Sequence, residues 1–327
     1  MQNDLIATTQ AMLAAGRQAD AITMIAAAAA RGDPAAYFQQ ALWRITGAPL
    51  PRDLKGARAD LSQAATNGHG EARLILMALT ANGSGGVADW PSAMQVLRTA
   101  CAAQDPHAQH LQTLLAAMGL VDDGRPATLP AIDHLTSDGS VRRASALLSV
   151  AECGHVANSA ADLLAPAVVV DPRTGRSIPH PIRTSDAAVL SPVREDPVIR
   201  AINLRVAAIS GTHVDQGEAL TILRYRPGQQ FRLHADVLPN VRNQRVATVL
   251  LYLNDGFGGG ETVFPDHKLT IAPKAGDALI FDNVDAAGHP LATARHAGAP
   301  VTHGVKWLAT RWIRARPFDI WTGPEAA

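Results

Sequence analysis

A chain of 327 residues is longer than most single domains, so two cores are expected rather than one. Its 47% hydrophobic and 18% charged residues exclude a disordered or collagen-like chain, and matching totals of 29 basic and 29 acidic side chains exclude a global field that would draw nucleic acid or an anionic membrane. Two cysteines, Cys101 and Cys153, are too few for a disulfide framework and read as buried thiols in a reducing cytoplasm.

In chain order, the first feature is the apolar run AITMIAAAAA (21–30). It is too short to span a bilayer, and it follows Arg17 and Asp20 without the charged start of a leader, so a cytoplasmic protein is expected. The chain then repeats itself. A shift of 36 residues superimposes 29–47 on 65–83, and the alignment continues into 102–119. Ala36, Ala72 and Ala108 fall in register, as do Gly47, Gly83 and Gly119, while Asp53 lies over Asp89 and Ala57 over Ala93. Small Ala at fixed positions lets helices approach closely, and a recurring Gly supplies the left-handed residue that stops each one. The spacing therefore predicts antiparallel helix pairs, two full units with partial flanking ones, over residues 1–120. This part resembles the short tetratricopeptide-related repeats, which implies binding of a peptide or protein on a concave face, or else assembly. His69, His107 and His110 read as surface or packing residues.

The period is lost at LVDDGRPATLP (120–130), and SVRRASALLSVAEC (140–153) reads as helical, so residues 121–164 are expected to be a helical linker. SAADLLAPAVVVDPRTGR (159–176) then turns to β-branched residues and turn formers. After a helical segment at 195–211, short β-rich runs follow one another: ALTILRYRP, FRLHADV, RVATVLLYLND, ETVFP, LTIAP, DALIFDN and KWLATRWIRAR. Strands without βαβ alternation predict an antiparallel jelly roll over 165–327, and an α+β multidomain chain overall. GFGGGET (256–262) is glycine-rich, but no helix follows it, so a phosphate-cradling loop fails on context.

His234 and Asp236 lie two apart in FRLHADVLPN (231–240), where a strand points both the same way. They could hold one cation, and a 2-His-1-carboxylate facial triad needs one more imidazole while leaving open positions for O2 and a chelating cosubstrate. His289, His296 and His303 are all available to complete it. Lys306, ten residues after His296, could neutralise the far carboxylate of a dicarboxylate chelator.

With those residues in view, the segment from about 165 to 320 resembles the 2-oxoglutarate and Fe(II)-dependent oxygenases, and within them the prolyl 4-hydroxylase family. The likeness rests on His234, Asp236, His296 and Lys306 and continues through RTS (183–185), Glu218, Tyr225, RVATVLLYLND (245–255), GGET (259–262), GDALIFDN (276–283) and KWLATRWI (306–313). The resemblance implies a double-stranded β-helix and an Fe(II) held by His234, Asp236 and His296 as the catalytic centre. It implies 2-oxoglutarate bound by Lys306, with Tyr225 and Thr262 hydrogen-bonding nearby and Trp312 walling the pocket. It also implies O2 as oxidant, succinate and CO2 as coproducts, and ascorbate as an accessory reductant. Asp236 sets the chain apart from halogenating relatives, which lack the carboxylate. Arg183, Ser185, Glu218 and Arg245 match positions that lie near a peptide substrate in the family or order loops over it. Phe231 stands where the family often has an aromatic hydroxyl, and Arg314 where it commonly has a His, so both should reshape the substrate cleft. His289 and His303 become second-rank residues near or outside the site.

The leading expectation is a peptidyl hydroxylase acting on proline, with the helical repeats recruiting the polypeptide. Its competitors are an oxygenase acting on a free amino acid, another side chain or a small metabolite, and a metal-binding adaptor without turnover. An open groove beside the metal favours a peptide; a narrow closed cleft favours a metabolite.

Overall fold

The structure is a computed structural model that describes residues 2–170, 177–179 and 182–323. The turn expected at 171–176 and the two ends of the chain lie outside these residues. The chain divides into two compact units, Met1–Gly124 with Pro192–Arg200, and Arg125–Ser191 with Ala201–Ala327.

The first unit is helical: α1 (Gln2–Ala14), α2 (Gln18–Ala30), α3 (Pro34–Thr46), α4 (Leu54–Thr66), α5 (Gly70–Asn82), α6 (Trp90–Ala102) and α7 (Pro106–Ala117). Helices α2, α4 and α6 start 36 residues apart, and so do α3, α5 and α7, which makes three pairs. That is one full unit more than the sequence suggests. Helices α4 and α6 open on Asp53 and Asp89, whose carboxylates accept from backbone N–H groups, whereas α2 opens on Arg17 without a side-chain cap. The first pair thus lacks the cue that marks the other two.

The buried positions repeat with the same period. Ala21, Ala57 and Ala93 are buried, as are Ile25, Leu61 and Leu97, and Ala36, Ala72 and Ala108. A methyl at the points of closest approach and a branched aliphatic side chain in between let each helix pack on the next. Helices α3 and α7 are capped by Asp33 and Asp105, with Pro at the first helical position. His69 takes the capping place on α5, its Nδ1 accepting from the Ala72 N–H at 3.2 Å, so it is neither a ligand nor simple packing. His107 and His110 are exposed. Gly47 and Gly83 end α3 and α5 in the left-handed conformation, φ +80° and +82°.

The second unit contains β1 (Ile132–His134), β2 (Val141–Ala144), α8 (Val150–Ser159), β3 (Ala165–Pro166), β4 (Val168–Val170), β5 (Ser177–Pro179), β6 (Asp186–Val189), α9 (Pro197–Ser210) from Ala201 onward, β7 (Thr221–Tyr225), β8 (Phe231–His234), β9 (Arg245–Tyr252), β10 (Gly258–Gly259), β11 (Thr262–Phe264), β12 (Leu269–Ile271), β13 (Ala278–Asp282), β14 (His296–Gly298), β15 (Val301–His303) and β16 (Lys306–Arg314). The larger sheet runs β1-β2-β13-β9-β16-β7-β6-β3 and the smaller β12-β11-β14-β8, all antiparallel. This is the double-stranded β-helix, and each strand-like run in the sequence from ALTILRYRP onward holds one of these strands. Leu223, Leu250, Tyr252, Phe281 and Leu308 from the larger sheet meet Phe264 and Ile271 from the smaller in one core.

The helical linker expected over 121–164 is not there. Residues from Arg125 belong to the second unit, β1 and β2 pair as a hairpin, and β2 extends the larger sheet alongside β13. Only α8 is helical in that stretch, and a capping box of Ser149 and Glu152 starts it at Val150 rather than near 140. Val141, Ala144, Leu147 and Leu148 are all buried, and their spacing of three and four mimics a helix. The partner that makes 141–144 a strand lies more than a hundred residues away in sequence, at Ala278–Phe281. Among the described residues, no helix is long and apolar enough to cross a membrane.

Candidate active site

Strands β8 and β14 are neighbours in the smaller sheet, with His234 directly opposite His296. The register slips between this pair and the next, Gly298 opposite Phe231, so three steps on β8 match two on β14. That bulge turns Phe231 and His234 to one side, where their rings stack with centroids 3.5 Å apart and planes 15° from parallel. Strand β8 ends at His234, and Asp236 sits just beyond it rather than on the strand. Asp236 is buried, whereas Arg232 is exposed and Leu233 is 46% exposed.

Ligand atoms of His234, Asp236 and His296 lie within 4.8 Å of one another, the one such cluster among the described residues. His234 Nε2 stands 3.7 Å from Asp236 Oδ1, and His296 Nε2 3.9 Å from Asp236 Oδ2. Each imidazole is oriented from behind. His234 Nδ1 lies 2.8 Å from the Arg232 carbonyl and His296 Nδ1 3.0 Å from that of Ala294. A carbonyl only accepts, so both Nδ1 atoms carry the proton and both Nε2 lone pairs point at the cluster. Burial, helped by His296, pushes His234 down to about 4, which keeps its ring neutral near pH 7. Burial alone would raise the Asp236 carboxyl, but His296, His234 and the Thr248 hydroxyl outweigh it and hold the group below its usual range. Two imidazoles and one carboxylate are the donor set a divalent iron takes.

Behind the cluster is a small cavity. Lys306, Leu308, Thr310 and Trp312 line it from alternate positions of β16, as the strand period requires. Tyr225, paired directly with Lys306, and Leu223 come from β7, Leu250 from β9 and Thr262 from β11. The Lys306 ammonium donates to the Gly260 carbonyl at 2.6 Å, and that is its one hydrogen-bond partner among the described residues. Gly260 adopts φ +71°, and a Cβ there would crowd the Lys306 stem at 3.1 Å, which is why a glycine stands at that position. Tyr225 and Tyr252 place their ring faces 5.6 and 5.7 Å from Nζ. Burial pushes the Lys306 ammonium down to about 8 and the Tyr225 phenol up to about 12. Thr262 Oγ1 shares a 2.8 Å hydrogen bond with the Tyr252 hydroxyl.

Residues 220–314 match the family model of the 2OG-Fe(II) oxygenase superfamily. Among curated proteins, Prolyl 4-hydroxylase 1 of Arabidopsis thaliana is 35% identical over 188 residues, and Probable prolyl 4-hydroxylase 10 of the same plant is 35% identical over 199. These stretches are 52% and 53% of this chain, and they span 66% and 68% of the two relatives, about two thirds of their length. The viral collagen prolyl hydroxylase of Paramecium Bursaria Chlorella virus-1, solved as a 2OG complex, is 28% identical and covers 54% of this chain and 97% of its own, at a TM-score of 0.44. The chain belongs to the prolyl 4-hydroxylase family of 2-oxoglutarate and Fe(II)-dependent oxygenases.

On the other side of the triad, the oxygenase carries an open groove of about 600 Å³ that reaches His234 and Asp236. Of the residues expected near substrate, Arg183, Glu218, Phe231 and Arg245 line it, and Trp312 faces both the groove and the inner cavity. Arg245 clamps Glu218 with two hydrogen bonds of 2.6 and 2.8 Å and lies 4.0 Å over the Trp312 ring. Ser185 and Arg314 are buried and line neither space. Arg314 instead reaches Glu218 from behind at 2.6 Å and donates to the Asn243 carbonyl at 2.7 Å. Its role is to hold Glu218, and Glu218 holds Arg245. His289 and His303 are both at the surface. Sequence reasoning passed over Thr248, Asn283 and Tyr252 although they stand in stretches that carry the family likeness. A polar side chain recurring inside an otherwise apolar strand, as in RVATVLLY, was the available signal.

Proposed function

We propose that this oxygenase hydroxylates proline in a peptide or protein, with Fe(II) and 2-oxoglutarate, and that the helical repeats recruit the polypeptide. The observation that carries the cofactor reading is Lys306, a buried ammonium facing a cavity with one carbonyl as partner. A buried cation so weakly paired fits a ligand that brings its own carboxylate. His234, Asp236 and His296 would hold Fe(II), and Lys306 the far carboxylate of 2-oxoglutarate. With O2, this pair supplies oxidative decarboxylation to succinate and CO2, coupled to hydroxylation of a C–H bond.

The chain's own residues supply position and dryness. The Arg232 and Ala294 carbonyls aim the imidazoles, and burial keeps the Tyr225 phenol protonated in the cavity wall. Leu223, Leu250 and Leu308 exclude water around the ammonium. On the substrate side, the open groove suits an extended chain better than a metabolite, with apolar walls of Ile182, Ala187 and Phe318 and the clamped Arg245 as a donor beside the metal. Support for proline comes from the curated relatives, which are named prolyl 4-hydroxylases. Free thiols at Cys101 and Cys153 agree with a reducing cytoplasm.

The test is to incubate the protein with Fe(II), 2-oxoglutarate and proline-containing peptides, with and without ascorbate, and to look for a gain of one oxygen. Turnover of a free amino acid or metabolite with every proline peptide left unmodified would refute the substrate assignment.

A further inference from the structure

Behind Asp236 lies a line of polar groups with no contact to either cavity. Thr248 Oγ1 is 2.7 Å from Asp236 Oδ2, and Asn283 Nδ2 is 2.9 Å from Thr248 Oγ1. All three side chains are buried. The direction of both bonds follows from chemistry alone. An ionised carboxylate only accepts, so the single Thr248 proton goes to Oδ2; the hydroxyl must then accept, and only the NH2 end of the Asn283 amide can donate to it. The opposite amide orientation would take the Thr248 proton away from the carboxylate.

The frame around the line is rigid. Thr248 sits mid-strand on β9, between Phe281 of β13 and Trp312 of β16, and the Asn283 backbone donates to Val246 and accepts from Leu291. Asn283 Oδ1 has no partner among the described residues, so the amide is held there by Thr248 alone. A buried amide left half unpaired costs free energy, and a site that retains it gains something from the other half.

We infer that Asn283 and Thr248 are positioning residues for the metal site: they hold Asp236 Oδ2, the oxygen on the His296 side, and so fix the carboxylate with Oδ1 toward His234 as the oxygen that meets the cation. The inference rests on the iron reading of the triad and adds to it two residues that touch neither metal nor substrate. An apolar side chain of the same shape at 248 would leave Oδ2 bare and free the carboxylate to rotate.

The experiment is Co(II) binding to the purified full-length protein without 2-oxoglutarate, by calorimetry and by the visible absorption of the bound ion. The wild type is compared with Thr248→Val, Thr248→Ser, Asn283→Ala and His234→Ala, each first checked for its thermal transition. Loss of an outer partner of a ligating carboxylate weakens metal binding by roughly 10- to 100-fold. Thr248→Val is expected to show that loss with a changed Co(II) spectrum, Thr248→Ser to restore both, and Asn283→Ala to lie in between. Co(II) affinity and spectrum of Thr248→Val and Asn283→Ala equal to wild type, with His234→Ala impaired, would overturn the positioning role and leave the triad standing. Absence of Co(II) binding in the wild type would overturn the triad, and the positioning role with it. Should Thr248→Val not fold, Asn283→Ala carries the comparison.

Discussion

The Lys306 ammonium has three protons to donate and one carbonyl to receive them, and it titrates at about 8 rather than 10.5 because burial disfavours its charge. A bound carboxylate needs the charged form, so the ligand-free pocket loses affinity as the pH rises through about 8. Titration calorimetry should find 2-oxoglutarate binding level below pH 7.5 and roughly tenfold weaker by pH 9. A flat profile to pH 10 would show that another group holds the cosubstrate. The same burial destabilises the ligand-free fold most below pH 8 and less as the pH approaches 10.5, because the unfolded chain keeps its proton longer. Lys306→Ala should raise the KM for 2-oxoglutarate by about 10- to 100-fold, the loss expected for one charge-assisted hydrogen bond, with iron affinity little changed. His234→Ala and Asp236→Ala should instead lose iron and abolish turnover, since two protein ligands hold the metal poorly. At this scale the sequence was informative: His234, Asp236, His296 and Lys306 all meet where the family likeness implied. The role of Arg314 was not legible, because its place behind Glu218 is a property of the packed sheet and not of the residue.

Among the elements, strand β8 shows how a local pattern can be right in outcome and wrong in detail. The alternation of FRLHADV points His234 and Asp236 the same way, yet the strand stops at His234 and a bulge stacks Phe231 on the ligand ring. The bulge depends on β14, which is three residues long and carries no pattern of its own. Strands β10, β14 and β15 were likewise invisible, since two or three residues cannot establish a period of two. The helix pairs are the opposite case, where capping residues and buried Ala recur over three units. Ala57 is wholly buried, so Ala57→Leu should overpack the repeat and lower unfolding free energy by about 1 to 3 kcal/mol, measured by denaturant titration. A neutral result would mean the helices there can move apart at no cost.

For the whole molecule, the two units carry separate expectations. Metal and cosubstrate bind only the folded second unit, so removal of metal by a chelator should lower its thermal midpoint. Saturation at about 100 times Kd is worth about 2.7 kcal/mol. If the repeats recruit the polypeptide, a change on their surface should affect large substrates alone. A groove of about 650 Å³ on α6, α7 and the segment after them exposes Val121 and Arg98. The pair Val121→Asp and Arg98→Glu should raise KM for a protein substrate several-fold and leave a short proline peptide unaffected. Equal effects on both would place recruitment elsewhere.

The sequence by itself determined the 36-residue helical period, the succession of β-rich runs after it, and His234 and Asp236 as one candidate ligand pair; the family likeness then selected His296 and Lys306. The period and the pair are written in side-chain chemistry at fixed local spacing, which survives without knowledge of the fold. Tertiary structure alone decided that 125–164 belongs to the oxygenase unit, that Arg314 braces Glu218, and that Thr248 and Asn283 stand behind Asp236. These depend on strand partners from distant parts of the chain, and pairing at that distance is settled by packing rather than by any local pattern.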